Sequence, residues 1–263
     1  MYNGAMSEFI KPNATPFPDA LIREAEGLQL LADTLRSARV TGSGSLRVPD
    51  VRRVTESELV IPRIDTAPAT DAKMTALGEG LALMHRQLMP DYGFEVDNLI
   101  GLSRQNNAVM GEWGAFYLDC RLKPQVAMIP DHGIRKEFES RIAAHQLVLR
   151  DFLNLHCNHP SLLHGDLWSG NVLFDQEGPW LIDPAVYRGD READLAMTEL
   201  FGGFSPAFYQ AYDSVYPRTD VYDLKRPIYN LYHTLNHYNL FGSSYLGACR
   251  RNLQALERLG ARQ

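Results

Sequence analysis

The stretch LLHGDLWSGNVLFDQEGPWLIDP, residues 162–184, places a histidine, two aspartates and an asparagine at the rims of two short apolar runs. Val172, Leu173 and Phe174 form the first run, and Trp180, Leu181 and Ile182 the second. The DQEGP segment between them has the composition of a hairpin connection. In an antiparallel pair the residue before the first strand lies opposite the residue after the second, so the pattern predicts that Asn171 and Asp183 meet at one end of the hairpin. Asp166 stands upstream, where Leu162 and Leu163 give way to a glycine-containing loop. Two carboxylates and an amide oxygen are hard ligands, suited to Mg2+ and not to zinc or copper. His164, Gly165 and Asp166, then four residues, then Asn171 have the spacing of a kinase catalytic loop. In such a loop the aspartate accepts the proton of the substrate hydroxyl and the asparagine holds a metal. Asp183 then falls where a second metal-binding aspartate is expected. Read singly, each residue is an ordinary turn former or cap; gathered on one hairpin, they point to phosphoryl transfer.

The 263 residues suffice for one large domain or two moderate lobes, with 45% apolar and 22% charged residues as in ordinary globular proteins. A net charge of −6 and the lack of a basic run argue against nucleic-acid binding. No apolar stretch reaches about 18 residues and no signal-peptide core follows Met1, which predicts a cytoplasmic protein with no membrane contact. Cys120, Cys157 and Cys249 are odd in number and widely spaced, so a disulfide framework is not expected.

Phe9, Ile10 and Lys11 form a short strand end before a proline-rich segment, and a helix is predicted from Asp19 with Leu21, Ile22, Ala25, Leu28, Leu31 and Leu35 at helical spacing. Residues 48–54 and 59–61 read as strands. Helices are predicted over 72–88, capped by Thr70 or Asp71, over 134–155, and through most of the chain beyond Ala193. The fold class is therefore α+β, with a small sheet-containing lobe over 1–64 and a mainly helical lobe over 65–263. Lys11, with Glu24 on the next helix, is the candidate phosphate-contacting ion pair. Gly42-Ser43-Gly44 follows that pair and reads as a plain connector, and no GxxxxGK[ST] motif occurs. The histidine groups around 156–159 and 233–237 lack a complete metal-ligand set.

LLHGDLWSGNVLF, LIDPAVYRGDREADLAM and NLYHTLNHYNLFG resemble the fructosamine kinase (ketosamine-3-kinase) family, within the wider group of aminoglycoside- and choline-kinase-like phosphotransferases. HGDLWSGN with Trp168, DPAVYRGDRE, YGFEVDNLIG at 92–101 and the segment 113–125 carry the narrower likeness. The resemblance implies a protein-kinase-like two-lobe fold. It implies ATP and Mg2+ as cofactors, and a ketosamine (fructosamine or ribulosamine) on a small amine or a glycated protein lysine as acceptor. It assigns Asp166 as catalytic base, Asn171 and Asp183 as metal ligands, and Lys11 with Glu24 as the phosphate-positioning pair. Residues 60–64, including Ile61 and Arg63, would meet adenine; Pro62 has no N–H to offer there. Trp113, Trp168 and Arg121 would line the acceptor site. The family's reaction phosphorylates a sugar hydroxyl of the adduct, which then falls apart, a deglycation repair. Other hydroxyl kinases of the wider group, or a pseudokinase, remain the alternatives. The family also has a strand, glycine-rich loop and strand before its lysine. Only ten residues precede Lys11, so that hairpin is expected to be absent, ATP binding to be weak, and the Phe9–Lys11 edge to invite pairing with a second copy.

Overall fold

A computed structural model describes residues 7–260. Strand β1 (Glu8–Pro12) leads through a turn into helix α1 (Ala20–Ser37), and β2 (Arg53–Val54) and β3 (Glu58–Pro62) complete a three-stranded sheet of order β1-β3-β2. Both pairings are antiparallel, with Phe9 opposite Ile61 and Lys11 opposite Leu59. Among the described residues β1 is thus an edge, with Phe9 and Ile10 exposed on it. Residues 1–6, on which the expected absence of a glycine-rich hairpin turns, lie outside the described residues. Helix α2 (Asp71–His85) follows, then β4 (Asn98–Ile100), β5 (Ser103–Gln105), α3 (Trp113–Phe116), a π-helical turn (Tyr117–Leu122), α4 (Lys123–Ala127) and α5 (His132–His156). Strands β6 (Ser161–Leu163), β7 (Val172–Phe174), β8 (Pro179–Leu181) and β9 (Tyr187–Gly189) come next, paired as β6 with β9 and β7 with β8. Helices α6 (Glu192–Leu200), α7 (Pro206–Val215), α8 (Tyr222–Phe241) and α9 (Leu246–Gly260) close the chain.

The helices begin where their caps dictate. Thr70 Oγ1 accepts from the Lys73 N–H at the start of α2, and Asp131 Oδ1 accepts from the Ile134 N–H at the start of α5. Asp19 stands at the N-cap position of α1 but makes no capping bond; its carboxylate is held instead by both terminal nitrogens of Arg104 on β5, at 2.9 and 3.0 Å. The strand expected over 48–54 forms only at Arg53–Val54. Pro49 cannot donate to a ladder, and the backbone of Arg47 pairs with the hairpin strand β8, its N–H to the Pro179 carbonyl and its carbonyl to the Leu181 N–H.

Two hydrophobic cores result. One packs α3, α5, α8 and α9 around Trp113, Phe138 and Leu235; the other joins the Leu21–Leu28–Leu31–Leu35 stripe of α1 to Met74, Leu77 and Leu81 of α2 and to Phe208. Each fully buried leucine in these stripes contributes about 1.5–3 kcal/mol. Strand β6 runs between them: Leu162 enters the second core and its neighbour Leu163 the first, because successive side chains on a strand point to opposite faces. The loop after β6 is therefore gripped from two sides.

Among the described residues no helix is long and apolar enough to cross a membrane. The three cysteines are all free thiols.

His233 lies buried on α8, and its Nδ1 has no hydrogen-bond partner among the described residues. Burial first, then the nearby His237 and Arg121, push its pKa down from 6.5 to about 3, against an opposing pull from Asp194. The unfolded chain therefore binds a proton that the folded one refuses between about pH 6.5 and 3, so stability falls as pH falls through that window, by up to about 1.4 kcal/mol per pH unit. Urea unfolding of His233→Gln should show an acid limb flatter by about that slope than the wild-type protein; parallel limbs would contradict the assignment.

Candidate active site

The HGD loop begins where β6 ends, and its path is set by a carboxylate outside the motif. Asp194 on α6 accepts the N–H of His164 at 2.7 Å and that of Gly165 at 2.9 Å, and lies 3.3 Å from His85 Nε2. Burial opposes the Asp194 charge, but the His85 contact and the loop N–H groups hold its pKa below the usual carboxylate value. Gly165 has φ +83°, and a Cβ there would run into the Ala185 carbonyl, so only glycine fits. His164 is buried. Its Nδ1 accepts from the Asp166 N–H, and its Nε2 donates to the Ile182 carbonyl at 2.9 Å. That pairing fixes a neutral imidazole, in keeping with a pKa lowered mainly by burial. The histidine thus ties the loop to the far strand of the hairpin.

The hairpin forms as the sequence implies, with one difference in register. Val172 pairs with Leu181 and Phe174 with Pro179, so Asn171 lies opposite Ile182, whose N–H donates to the Asn171 carbonyl. Asp183 is one step farther on, with φ +52°. The two still meet, because the chain turns there: Asn171 Nδ2 reaches the Asp183 carbonyl at 3.5 Å. The hairpin loop is locked by Asp175, whose Oδ1 accepts from the Glu177 and Gly178 N–H groups and whose Oδ2 accepts from Trp180 Nε1.

Asn171 donates its amide N–H to the Asp166 carbonyl at 2.8 Å and to Asp166 Oδ2 at 3.3 Å. Its Oδ1 has no donor partner among the described residues, which leaves that oxygen free for a cation. Together with Asp183 it supplies two hard oxygens, the share a protein commonly contributes to Mg2+ when substrate phosphates complete the shell. Burial, the largest effect, lifts the Asp166 pKa to about 7, with Asp194 and Asp183 adding to it and the Asn171 bond opposing. Lys11 Nζ lies 2.8 Å from both oxygens of Glu24 and 3.0 Å from Asp183 Oδ1. Burial works against the Lys11 charge, but Glu24 first and then Asp183 outweigh it and raise its pKa. These five residues share one cleft of about 340 Å3, whose other walls are Asn13–Thr15, the start of α1, and Asn98, Leu99 and Gly101 of the β4–β5 hairpin.

Trp168 also lines this cleft and is 39% exposed. Its indole occupies the space that a Cβ on Gly170 would take. The other expected acceptor contacts do not lie here. Trp113 is buried, its Nε1 donating to the Tyr229 hydroxyl, and Arg121 is fully buried between the rings of Tyr187 and Phe116, bonded to the Asn106 carbonyl and Asn107 Oδ1. Both are core residues and the expectation for them is corrected: the apolar 113–125 segment packs inward, and its one arginine closes the polar ends of neighbouring loops. Ile61 and Arg63 are not among the cleft-lining residues. Ile61 is buried in the second core, and the Arg63 N–H is already given to the Ser7 carbonyl. Asp194 had been missed. An acid among Ala193, Leu195 and Ala196, all buried, was the signal available for it.

The family model described as Fructosamine kinase matches residues 1–258. A Vibrio parahaemolyticus protein named “Probable ketoamine kinase” is 38% identical over 251 residues, covering 93% of this chain and 83% of that one. The chloroplastic protein-ribulosamine 3-kinase of Arabidopsis thaliana is 36% identical over 250 residues, 92% of this chain and 73% of that one. A crystal structure of a fructosamine-3-kinase candidate from Thermobifida fusca superposes with a TM-score of 0.82 at 31% identity, covering 95% of this chain and 85% of that one. An aminoglycoside phosphotransferase bound to gentamicin, at 14% identity and a TM-score of 0.56 over 95% of this chain and 84% of that one, shares the protein-kinase-like fold alone. With Asp166, the Asn171 and Asp183 oxygens and the Lys11–Glu24 pair gathered in one cleft, and these likenesses spanning nearly the whole chain, the protein belongs to the fructosamine kinase family and is a phosphotransferase.

Proposed function

We propose that this chain transfers the γ-phosphoryl group of ATP to a sugar hydroxyl of a ketosamine, a fructosamine or ribulosamine carried on a small amine or on a protein lysine. The observation that carries this reading is the single cleft shared by Lys11, Glu24, Asp166, Asn171 and Asp183. Asp166 takes the proton of the acceptor hydroxyl as its oxygen bonds to the γ-phosphorus and the bond to the ADP oxygen breaks. Lys11, held in place by Glu24, meets the phosphates. A divalent cation, Mg2+ in this reading, supplies charge neutralisation on those phosphates, and Asn171 Oδ1 and Asp183 would hold it. The Trp168 indole offers a flat apolar surface to the sugar beside Asp166. The phosphorylated adduct then sheds the amine, so the reaction serves deglycation.

The direct test is an ATP/Mg2+ assay with ribosyl-lysine, fructosyl-lysine, an aminoglycoside and choline in parallel. Phosphorylation of the two sugar adducts is expected to dominate, and an aminoglycoside that outcompetes ribosyl-lysine would sink the assignment. Asp166→Asn should lower kcat by roughly 10²–10⁴-fold with little change in nucleotide affinity. Asp183→Ala should weaken Mg2+-dependent nucleotide binding as well as turnover, and equal binding losses in the two variants would show the roles to be misassigned. Gly170→Ala, whose methyl group must displace the indole, should raise the KM for the sugar adduct several-fold more than the KM for ATP. Equal changes in both would remove Trp168 from the acceptor site.

A further inference from the structure

The Trp168 ring does not stand alone at the cleft mouth. Phe201, at the end of α6, meets it edge-on at 6.3 Å between centroids, and His237 on α8 lies 5.0 Å beyond Phe201. Phe241 and Tyr245 then contact His237 at 5.5 and 5.1 Å and each other at 6.2 Å. Trp168 is 39% exposed, Phe201 44% and Phe241 65%, while His237 and Tyr245 are half-buried among them. Three large aromatic side chains left this open in one contiguous row are unusual on a monomer surface and mark a place where something binds. His237 Nδ1 donates to the His233 carbonyl at 2.8 Å, so its Nε2 is an acceptor with no partner among the described residues. The same end of α8 touches the cleft from a second side, since Leu240 packs at Gly101, a cleft-lining residue.

Resting on the ketosamine-kinase reading, we propose that this row is the subsite for the amine-bearing part of the acceptor, and that the acceptor is a glycated lysine within a polypeptide with an apolar or aromatic side chain beside it. The sugar must lie at Asp166 for transfer, so whatever is bonded to its nitrogen leaves the cleft past Trp168. The nitrogen of a ketosamine is a secondary ammonium, which the faces of Trp168 and Phe201 attract. A free amino-acid adduct ends near those first rings. Only a chain that continues past the lysine side chain covers Phe241 and Tyr245. A flanking apolar side chain would bury against these two rings, and a peptide N–H would find the His237 Nε2 acceptor. Phe201, His237, Phe241 and Tyr245 lie outside the set of cleft-lining residues, which suits an extended chain lying on the surface and not a small molecule enclosed in a pocket.

The test compares kcat/KM of the full chain for three ribosylated acceptors: free Nα-acetyl-lysine, a pentapeptide with leucine or phenylalanine flanking the modified lysine, and the same peptide with serine and glycine there. The apolar-flanked peptide is expected to exceed the free adduct by roughly 10-fold, chiefly through KM, a difference of about 1.4 kcal/mol. The serine-glycine peptide should fall near the free adduct. Phe241→Ser and Tyr245→Ser should each bring the peptide-to-free ratio close to one. Because the readout is a ratio within one enzyme preparation, partial loss of active protein does not move it. A wild-type ratio near one, or a ratio that survives both substitutions, overturns the proposal while leaving the ketosamine-kinase reading intact. A wild-type enzyme that phosphorylates none of the three overturns both.

Discussion

Asp194 is buried beside His85 and away from solvent, yet both of its oxygens accept N–H groups from the first two residues of the HGD loop. A buried carboxylate is tolerable only when its lone pairs are met, so the charge and the loop conformation require each other. The loop cannot drift without stranding the charge, and removing the charge would leave two backbone donors unmet, at about 1–3 kcal/mol each. Asp166 and Asn171 inherit their positions from that constraint. His164 passes it on to the hairpin through the Ile182 carbonyl, and β6 passes it on to the two cores by sending Leu162 and Leu163 opposite ways. The residues proposed to do chemistry are thus held by Asp194, His164 and β6, to which no chemical step is given.

The cleft these constraints produce is not electrically neutral. Lys11 is one cation shared between Glu24 and Asp183, and Asp166 adds a further acidic group at the same cavity. Arg23, which also lines the cavity, is engaged by Glu26 and Asp19. A polyphosphate brought into this field meets net negative charge, and the protein alone offers it little attraction. The Asn171 and Asp183 oxygens make sense in that light. In the proposed reading they would bring in the positive charge that the side chains lack, and a bound divalent ion would be the largest local charge in the site.

The part of this arrangement most legible in the sequence was the part built from local contacts. A hairpin with its turn residues, and the four-residue interval from Asp166 to Asn171, are short-range patterns, and the structure shifted the predicted register by one residue at Asp183. The lysine–glutamate pair was readable because a strand and the helix following it are neighbours in chain as well as in space. What failed were inferences about which way a side chain faces in the absence of a periodic signal. Trp113 and Arg121 sit in a segment where a short helix, a π-helical turn and another short helix succeed one another, so no single period sorts inward from outward positions. The engagement of the Arg63 N–H was not readable for a different reason: whether it is free depends on the Ser7 carbonyl, more than fifty positions away in the chain. Asp194 stood out only as an acid among apolar residues, and what it holds was not readable because the loop N–H groups it accepts lie some thirty residues upstream.

The molecule's aromatic residues divide along the same line, and their surroundings decide what each group can do. Trp113, Phe116, Tyr117 and Tyr229 contact one another inside the first core, where the Trp113 N–H and the tyrosine hydroxyls are all supplied with protein partners. Such a cluster is complete. It gives rigidity to the body against which α3 and α8 rest, and a ligand could enter it only by breaking bonds already made. The row from Trp168 to Phe241 is the opposite case: its rings meet in T-shaped and tilted contacts, Trp168, Phe201 and Phe241 face water, and the His237 Nε2 has no partner among the described residues. Both groups are rich in tryptophan, phenylalanine and tyrosine, and composition alone does not separate them. Completeness of burial and of hydrogen bonding does, and by that criterion the proposed acceptor surface runs outward along α8 from the HGD loop and away from the 113–125 segment.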